Sequence, residues 1–142
     1  MAYKVFLDTN IIVDFLQPVR PFHEDAKELF LNLSKDIFIA HISESVITTT
    51  PYLIRKDFSS VQLNILLQNL NQKLTILSCN NQHISTALQK QPTDFEDALL
   101  YEIALHHQMD YFVTTNTKDF KKIQQAHLPV IRAREMNKIL AE

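Results

Sequence analysis

Apolar runs of three or four residues alternate along this chain with longer stretches in which apolar positions recur at helical spacing. Val5, Phe6 and Leu7 form the first run, the pattern of a strand buried on both faces. Ile11, Ile12, Phe15 and Leu16 then repeat helically until Pro18 and Pro21. Ala26, Leu29, Phe30 and Leu33 stand at i, i+3, i+4 and i+7, predicting an amphipathic helix from His23 to Lys35. Ile37 to Ala40 reads as a second strand that ends near His41-Ile42-Ser43-Glu44. Between Ser45 and Lys56 the signals conflict. Val46, Ile47 and three threonines favour a strand, and Pro51 deep in a helix costs about 3 kcal/mol. A helix is nonetheless the reading, because Tyr52, Leu53 and Ile54 need a long element to carry them back to the sheet. Ser59 or Ser60 caps a clearer helix with Leu63, Leu66, Leu67 and Leu70 as one stripe. Leu74 to Leu77 is a third strand, and a short helix through Ile84, Ala87 and Leu88 closes before Pro92. Thr93-x-x-Glu96 fits a capping box opening the strongest helix, with Phe95, Ala98, Leu99 and Ile103 as its buried side. Tyr111 to Thr114 is a fourth strand, Val130-Ile131 a small fifth, and Met136, Ile139 and Leu140 mark a last helix.

Strands alternating with helices imply right-handed crossovers and a parallel sheet. The expected fold is α/β, a three-layer sandwich around a central parallel sheet of four to five strands. No repeat, linker or low-complexity tract divides the 142 residues, so one domain over 1–142 is expected.

Composition narrows the chemistry. Glycine is absent, which excludes a Walker A loop, a dinucleotide fingerprint and a glycine-flanked serine elbow. Cys79 is the only cysteine, so neither an intrachain disulfide nor a multi-cysteine zinc site can form. The histidines at 23, 41, 83, 106, 107 and 127 never make a His-Glu-x-x-His motif, and the adjacent His106 and His107 point apart on a helix. No apolar run approaches the ~18 residues of a membrane span, and the first residues lack the features of a signal peptide. No membrane association and a cytoplasmic location are the expectations. The net charge of -2 is uneven: Tyr111 to Glu142 carries six basic residues against three acidic ones. A basic end beside an acidic body suits a polyanion held against a carboxylate-bound metal, although each charge taken singly is also an ordinary solvated group.

The acids are placed suggestively. Asp8 follows the first strand and Asp119 lies just past the fourth, while Asp94 and Asp97, at i and i+3, share a face in the first turn of the strongest helix. In a parallel sheet the carboxyl ends of all strands lie on one edge, where ligands bind. Singly, each has a plainer role. Asp8 or Thr9 can cap the next helix, Asp94 and Asp97 suit a helix N-terminus, Asp119 can cap a short helix from Phe120 to Gln125, and Asn116 suits a turn. Together they indicate a metal site. Carboxylates ~4 Å apart repel by about 4 kcal/mol per pair at an effective dielectric near 20. Mg²⁺ or Mn²⁺, hard ions that take oxygen ligands, would relieve that repulsion.

Leu7-Asp8-Thr9-Asn10, then Asp94-Phe95-Glu96-Asp97-Ala98-Leu99, then Val113-Thr114-Thr115-Asn116-Thr117-Lys118-Asp119-Phe120 resemble, in order and spacing, the successive motifs of PIN domains. The resemblance implies a metal-dependent ribonuclease fold, as in VapC-type toxins of toxin–antitoxin pairs. It implies RNA as substrate, a cognate antitoxin protein as partner, and a homodimer. By the same match Asp8 and Asp97 would be the main metal ligands. Asn116 and Asp119 would complete the acidic pocket, Thr9 or Asn10 would shape the first turn, and Asp94 would be a supporting acid. One position departs from the family, which usually has a glutamate six residues after a serine in the helix following the second strand. Counted from Ser43, that position holds Thr49. Either Glu44 reaches the site from the start of that helix, or the metal has one ligand fewer.

Two classes of function stay open on these residues: a ribonuclease, and a PIN-like module that grips RNA or protein but cuts poorly. A haloacid-dehalogenase-type phosphatase needs a second Asp where Asn10 stands, and a phospho-acceptor receiver domain needs an Asp closing the third strand, where Leu77-Ser78 stands.

Overall fold

The computed structural model describes residues 2–142. Five strands, β1 (Lys4–Leu7), β2 (Ile39–Ser43), β3 (Thr75–Leu77), β4 (Tyr111–Val113) and β5 (Val130–Ile131), form one sheet in the order β3-β2-β1-β4-β5. Every pairing is parallel, with Val5 opposite Ala40 on one side and Tyr111 on the other. Seven α-helices connect and flank the strands: α1 (Thr9–Leu16), α2 (His23–Ser34), α3 (Glu44–Ile54), α4 (Ser60–Lys73), α5 (Asn81–Gln89), α6 (Phe95–His106) and α7 (Ala133–Leu140).

The chain runs β1, β2, β3 towards one edge, then returns past β1 to place β4 and β5 on the other side. Right-handed crossovers in opposite directions put their helices on opposite faces of the sheet. Accordingly α2 packs on both α1 and α7, and α5 packs on α6. Val5, Phe6 and Leu7 are fully buried at the centre, Phe6 stacked on Phe112 with ring centroids 5.2 Å apart. Tyr101 of α6 and Phe120 complete this aromatic core.

Three local expectations change. The second strand lies at Ile39–Ser43, not Ile37–Ala40, because pairing with β1 starts at Lys4 opposite Ile39. As β2 lies between two neighbours, the polar His41 and Ser43 are buried with it. Helix α6 is capped by Asp94, whose Oδ1 accepts from the Asp97 N–H at 3.0 Å, so the Thr93/Glu96 capping box does not form. Its buried side is Ala98, Leu100, Tyr101, Ile103 and Ala104, while Phe95 is exposed and Leu99 half-buried, because α6 meets both the sheet and α5. Asp119 lies inside a 3-10 turn over Thr117–Phe120 and does not start a helix; Phe120, driven into the core, closes that turn.

The conflicted segment is helical, with Pro51 inside α3, where its ring supplies no N–H for the Ile47 carbonyl; only three residues follow it before the helix ends. Ser59 caps α4 through a box with Gln62. Of the α4 stripe only Leu70 is buried; Leu63, Leu66 and Leu67 are half-buried, and Val61 and Ile65 are exposed. With no glycine available, the left-handed residues just after α2, α5 and α6 are Asp36, Gln91 and Gln108, at φ 57°, 49° and 59°. No helix among the described residues is long and apolar enough to cross a membrane.

Candidate active site

The strand order reverses between β1 and β4, and in open α/β sheets ligands bind at such a reversal, beyond the strands' carboxyl ends. Asp8 and Thr114 are the residues that leave these two strands. The Asp8 N–H donates to the Val113 carbonyl at 2.9 Å, which fixes the backbone of both exits. Asp8 also caps α1: its Oδ1 accepts from the Thr9 N–H at 2.7 Å. Its Oδ2 accepts from the Thr114 hydroxyl at 2.8 Å and, at 3.5 Å, from Asn10 Nδ2. One side chain therefore both caps α1 and ties the exits of β1 and β4 together.

A polar network extends along the edge. The Thr114 hydroxyl accepts from Asn10 Nδ2 and from the Asn116 N–H, each at 3.2 Å. Asn10 Oδ1 accepts from the Thr115 N–H at 3.0 Å, and the Thr115 hydroxyl donates to Asp14 Oδ2 at 2.7 Å. Asp14 is buried and takes the Arg20 Nε at 2.5 Å. Each buried acceptor here has a donor, the condition for a polar cluster to be rigid.

Asp8, Thr9, Asn10, Thr49, Asp94 and Asp97 line one open hollow of about 430 Å³, which Glu96 and Arg20 also border. Asp119 lies on an adjoining depression that shares Asp94 with the first. Asn116 is exposed in the turn after β4 and touches the cluster through its backbone. Glu44 is exposed in the first turn of α3 and does not line the hollow; Thr49, one and a half turns later, does.

Burial pushes the Asp8 carboxyl up to about 6; the Thr114 hydroxyl and Thr9 N–H pull it back, and the charges of Glu96 and Asp94 add to the rise. Asp97 is raised to about 7, by burial first and then by the negative charges of Asp8, Asp94, Asp119 and Glu96. Two carboxyls raised this far stand in a field of like charge that a cation would relieve. Among the described residues no three His, Cys, Asp or Glu side chains stand close enough to form a cage around a metal ion. The carboxyl oxygens of Asp8 and Asp97 are hard donors of the kind that suit Mg²⁺ or Mn²⁺. The hydroxyl of Thr9, the residue after Asp8, is buried and has no hydrogen-bond partner among the described residues.

Sequence reasoning missed Thr114, Asp14 and Arg20. Asp14 had a readable signal, a lone acid inside the apolar run Ile11-Ile12-Val13-Asp14-Phe15-Leu16. Thr114 had a weaker one, a hydroxyl closing a buried strand.

An acidic hollow thus lies at the reversal point of a parallel sheet, the place where open α/β domains bind ligands. The chain belongs to the PIN domain family, whose family model matches residues 4–118. Among solved structures it is similar to Mycobacterium tuberculosis VapC20, described as a sarcin-ricin loop cleaving toxin, at 15% identity and a TM-score of 0.62 over 76% of this chain and 86% of that one. It is also similar to VapBC2 from Rickettsia felis bound to a DNA fragment from its promoter, at 21% identity and a TM-score of 0.65, covering 91% of this chain and 98% of that one. VapBC-1 from nontypeable Haemophilus influenzae gives 21% identity and a TM-score of 0.65, covering 92% and 98%. At these identities the likeness speaks for the fold. No curated protein sequence matches the chain.

Proposed function

We propose that the protein is a metal-dependent endoribonuclease that hydrolyses RNA phosphodiester bonds, acting in the cytoplasm as the toxin of a toxin–antitoxin pair. The observation that carries this reading is that Asp8 and Asp97 line one hollow, both carboxyls raised towards neutrality. Membership of the PIN family and the VapC-type fold of the solved relatives support it.

Asp8 would be the fixed ligand, since three donors hold its orientation. Asp97, in the first turn of α6, would be the second ligand, with Asp94 locking that turn. Asp119 and Asn116 would bound the site on the β4 side. A bound Mg²⁺ or Mn²⁺ supplies a Lewis acid for a phosphoryl oxygen and a water of lowered pKa. Both carboxyls must lose their protons to hold it, so binding strengthens as pH rises through 6 to 7.

RNA cleavage measured against added Mg²⁺ or Mn²⁺, in the wild type and Asp97→Asn, tests the reading. Cleavage that needs the metal and is lost in the variant is expected; equal rates in both, or full activity in chelator, overturn it. One observation favours a second reading. A neutral Thr49 on the hollow, where the family usually has a glutamate, suits a PIN module that binds RNA and cuts weakly. Metal-independent RNA binding with no cleavage at any metal concentration would select that reading.

The partner would be a small antitoxin protein, and a short reading frame beside this gene encoding a DNA-binding protein is the expected finding. A homodimer is also proposed, with exposed Val61 and Ile65 on α4 as apolar surface to spare. A monomeric mass by light scattering at micromolar concentration counts against it.

A further inference from the structure

The adjoining depression, about 930 Å³, differs in charge from the acidic hollow with which it shares Asp94. Lys118, Lys121 and Lys122 stand along it, all exposed, and none is ion-paired among the described residues. Lys90, on the same depression, is committed elsewhere, to Glu102 and the face of Tyr101.

The segment that carries the three lysines is pinned. Phe120, between Lys118 and Lys121, is fully buried against Phe112, their ring centroids 4.8 Å apart. The Lys121 N–H bonds the Lys118 carbonyl, and the Ile123 and Gln124 N–H groups bond the Phe120 carbonyl. Further along, the Tyr101 hydroxyl accepts from the Gln125 N–H and donates to the Leu128 carbonyl, each at 2.7 Å. Tyr101 belongs to α6, which also carries Asp97, so ledge and acid are fixed to one helix. A mobile basic tail would offer charge without position; this segment offers both.

Five acids at or beside the hollow, Asp8, Asp94, Glu96, Asp97 and Asp119, repel a polyanion. Something must offset that repulsion if RNA is to lie over them. We infer that the substrate's sugar–phosphate backbone leaves the acidic hollow over Asp94 and lies along the ledge of Lys118, Lys121 and Lys122. The inference rests on the RNA-cleavage reading. Ammonium groups facing phosphates position the strand without reading its bases, so the ledge contributes affinity shared by all sequences.

The test is binding of a fluorescein-labelled single-stranded RNA oligomer, followed by anisotropy in chelator at 50 to 200 mM salt. The proteins are wild type, the triple variant K118A/K121A/K122A, and a control triple K27A/K35A/K73A on α2, α4 and the turn after α2. About 0.7 of salt slope is expected per single-strand phosphate contact. The ledge variant should therefore lose about 2 from the slope of log affinity against log salt, and the wild type's advantage should shrink about twenty-fold over that range. The control should keep the wild-type slope, and all three proteins should melt at the same temperature. With metal added, the ledge variant should show raised KM and nearly unchanged kcat. A ledge variant that binds like the control, while the wild type cleaves, overturns the ledge alone. A wild type that never cleaves while the ledge variant loses binding overturns the nuclease reading alone. A wild type that binds no RNA overturns both.

Discussion

Replacing Asp97 by Asn should make the metal-free protein more stable at pH 8, the reverse of what most substitutions on a helix do. Folding raises the Asp97 carboxyl from 3.8 to about 7. Between pH 4 and 7 the folded protein therefore holds a proton that the unfolded chain has released. Stability must fall as pH rises through that window and level off above it. Three units correspond to about 4 kcal/mol as an upper bound. The side chain is only half-buried, and solvent screening brings the cost of its charge to about 1–2 kcal/mol. Asn removes that cost but also gives up the charge favoured at a helix N-terminus, about 0.5 kcal/mol. The net gain is about 1 kcal/mol, or roughly 3–4 °C in melting temperature for a chain of this length. Mg²⁺ should reverse the order. At a hundred times its Kd it stabilises the wild type by about 2.7 kcal/mol, and the variant by far less. Melting curves at pH 5 and pH 8, with chelator and with Mg²⁺, read all four cases. If the variant melts below the wild type in chelator at pH 8, the two carboxylates do not strain one another and the argument for a cation between them falls.

Asp8→Asn should abolish cleavage but, unlike Asp97→Asn, should not gain stability, because an amide cannot accept from Thr9, Thr114 and Asn10 together; side-by-side melts and cleavage assays check both halves. Thr114→Val removes the hydroxyl that favours the charged form of Asp8, so its carboxyl should rise further and the pH–rate profile should move to higher pH; the Asn116 N–H and Asn10 amide, which lose their acceptor, and Asp8 Oδ2, which loses a donor, should cost about 1–3 kcal/mol in denaturant unfolding. Thr49→Glu adds a carboxylate to the hollow and should tighten Mg²⁺ binding and raise cleavage at low Mg²⁺, while Glu44→Gln, outside the hollow, should leave both nearly unchanged. Calorimetric titration of the three proteins decides, and loss of binding in Glu44→Gln would show that Glu44 reaches the ion after all.

The sheet was legible in the sequence because its strands are short, continuous apolar runs, and the site because three of its parts follow strands or open a helix. What escaped was set by neighbours. The shift of β2 onto His41 and Ser43 depends on pairing with β1 and β3, and no local pattern carries that information. The choice of Asp94 over Thr93 as the cap of α6 is a contest between adjacent cap-formers, decided by one residue of register. The Thr114–Asp8 hydrogen bond joins residues 106 positions apart, so the partner that most clearly marks Asp8 as more than a cap was out of reach. Thr49 was reached through the resemblance, as the position six residues after Ser43, and it lines the hollow.

The absence of glycine has a thermodynamic consequence. At Asp36, Gln91 and Gln108 the folded chain adopts left-handed backbone that glycine would take without strain, at about 1 kcal/mol or more each. Everywhere else the same composition restricts the unfolded chain, since every residue carries a β-carbon and has fewer conformations to lose on folding. Part of this protein's stability thus lies in the poverty of its denatured ensemble, and glycine introduced even at exposed positions, where little packing is lost, would weaken it.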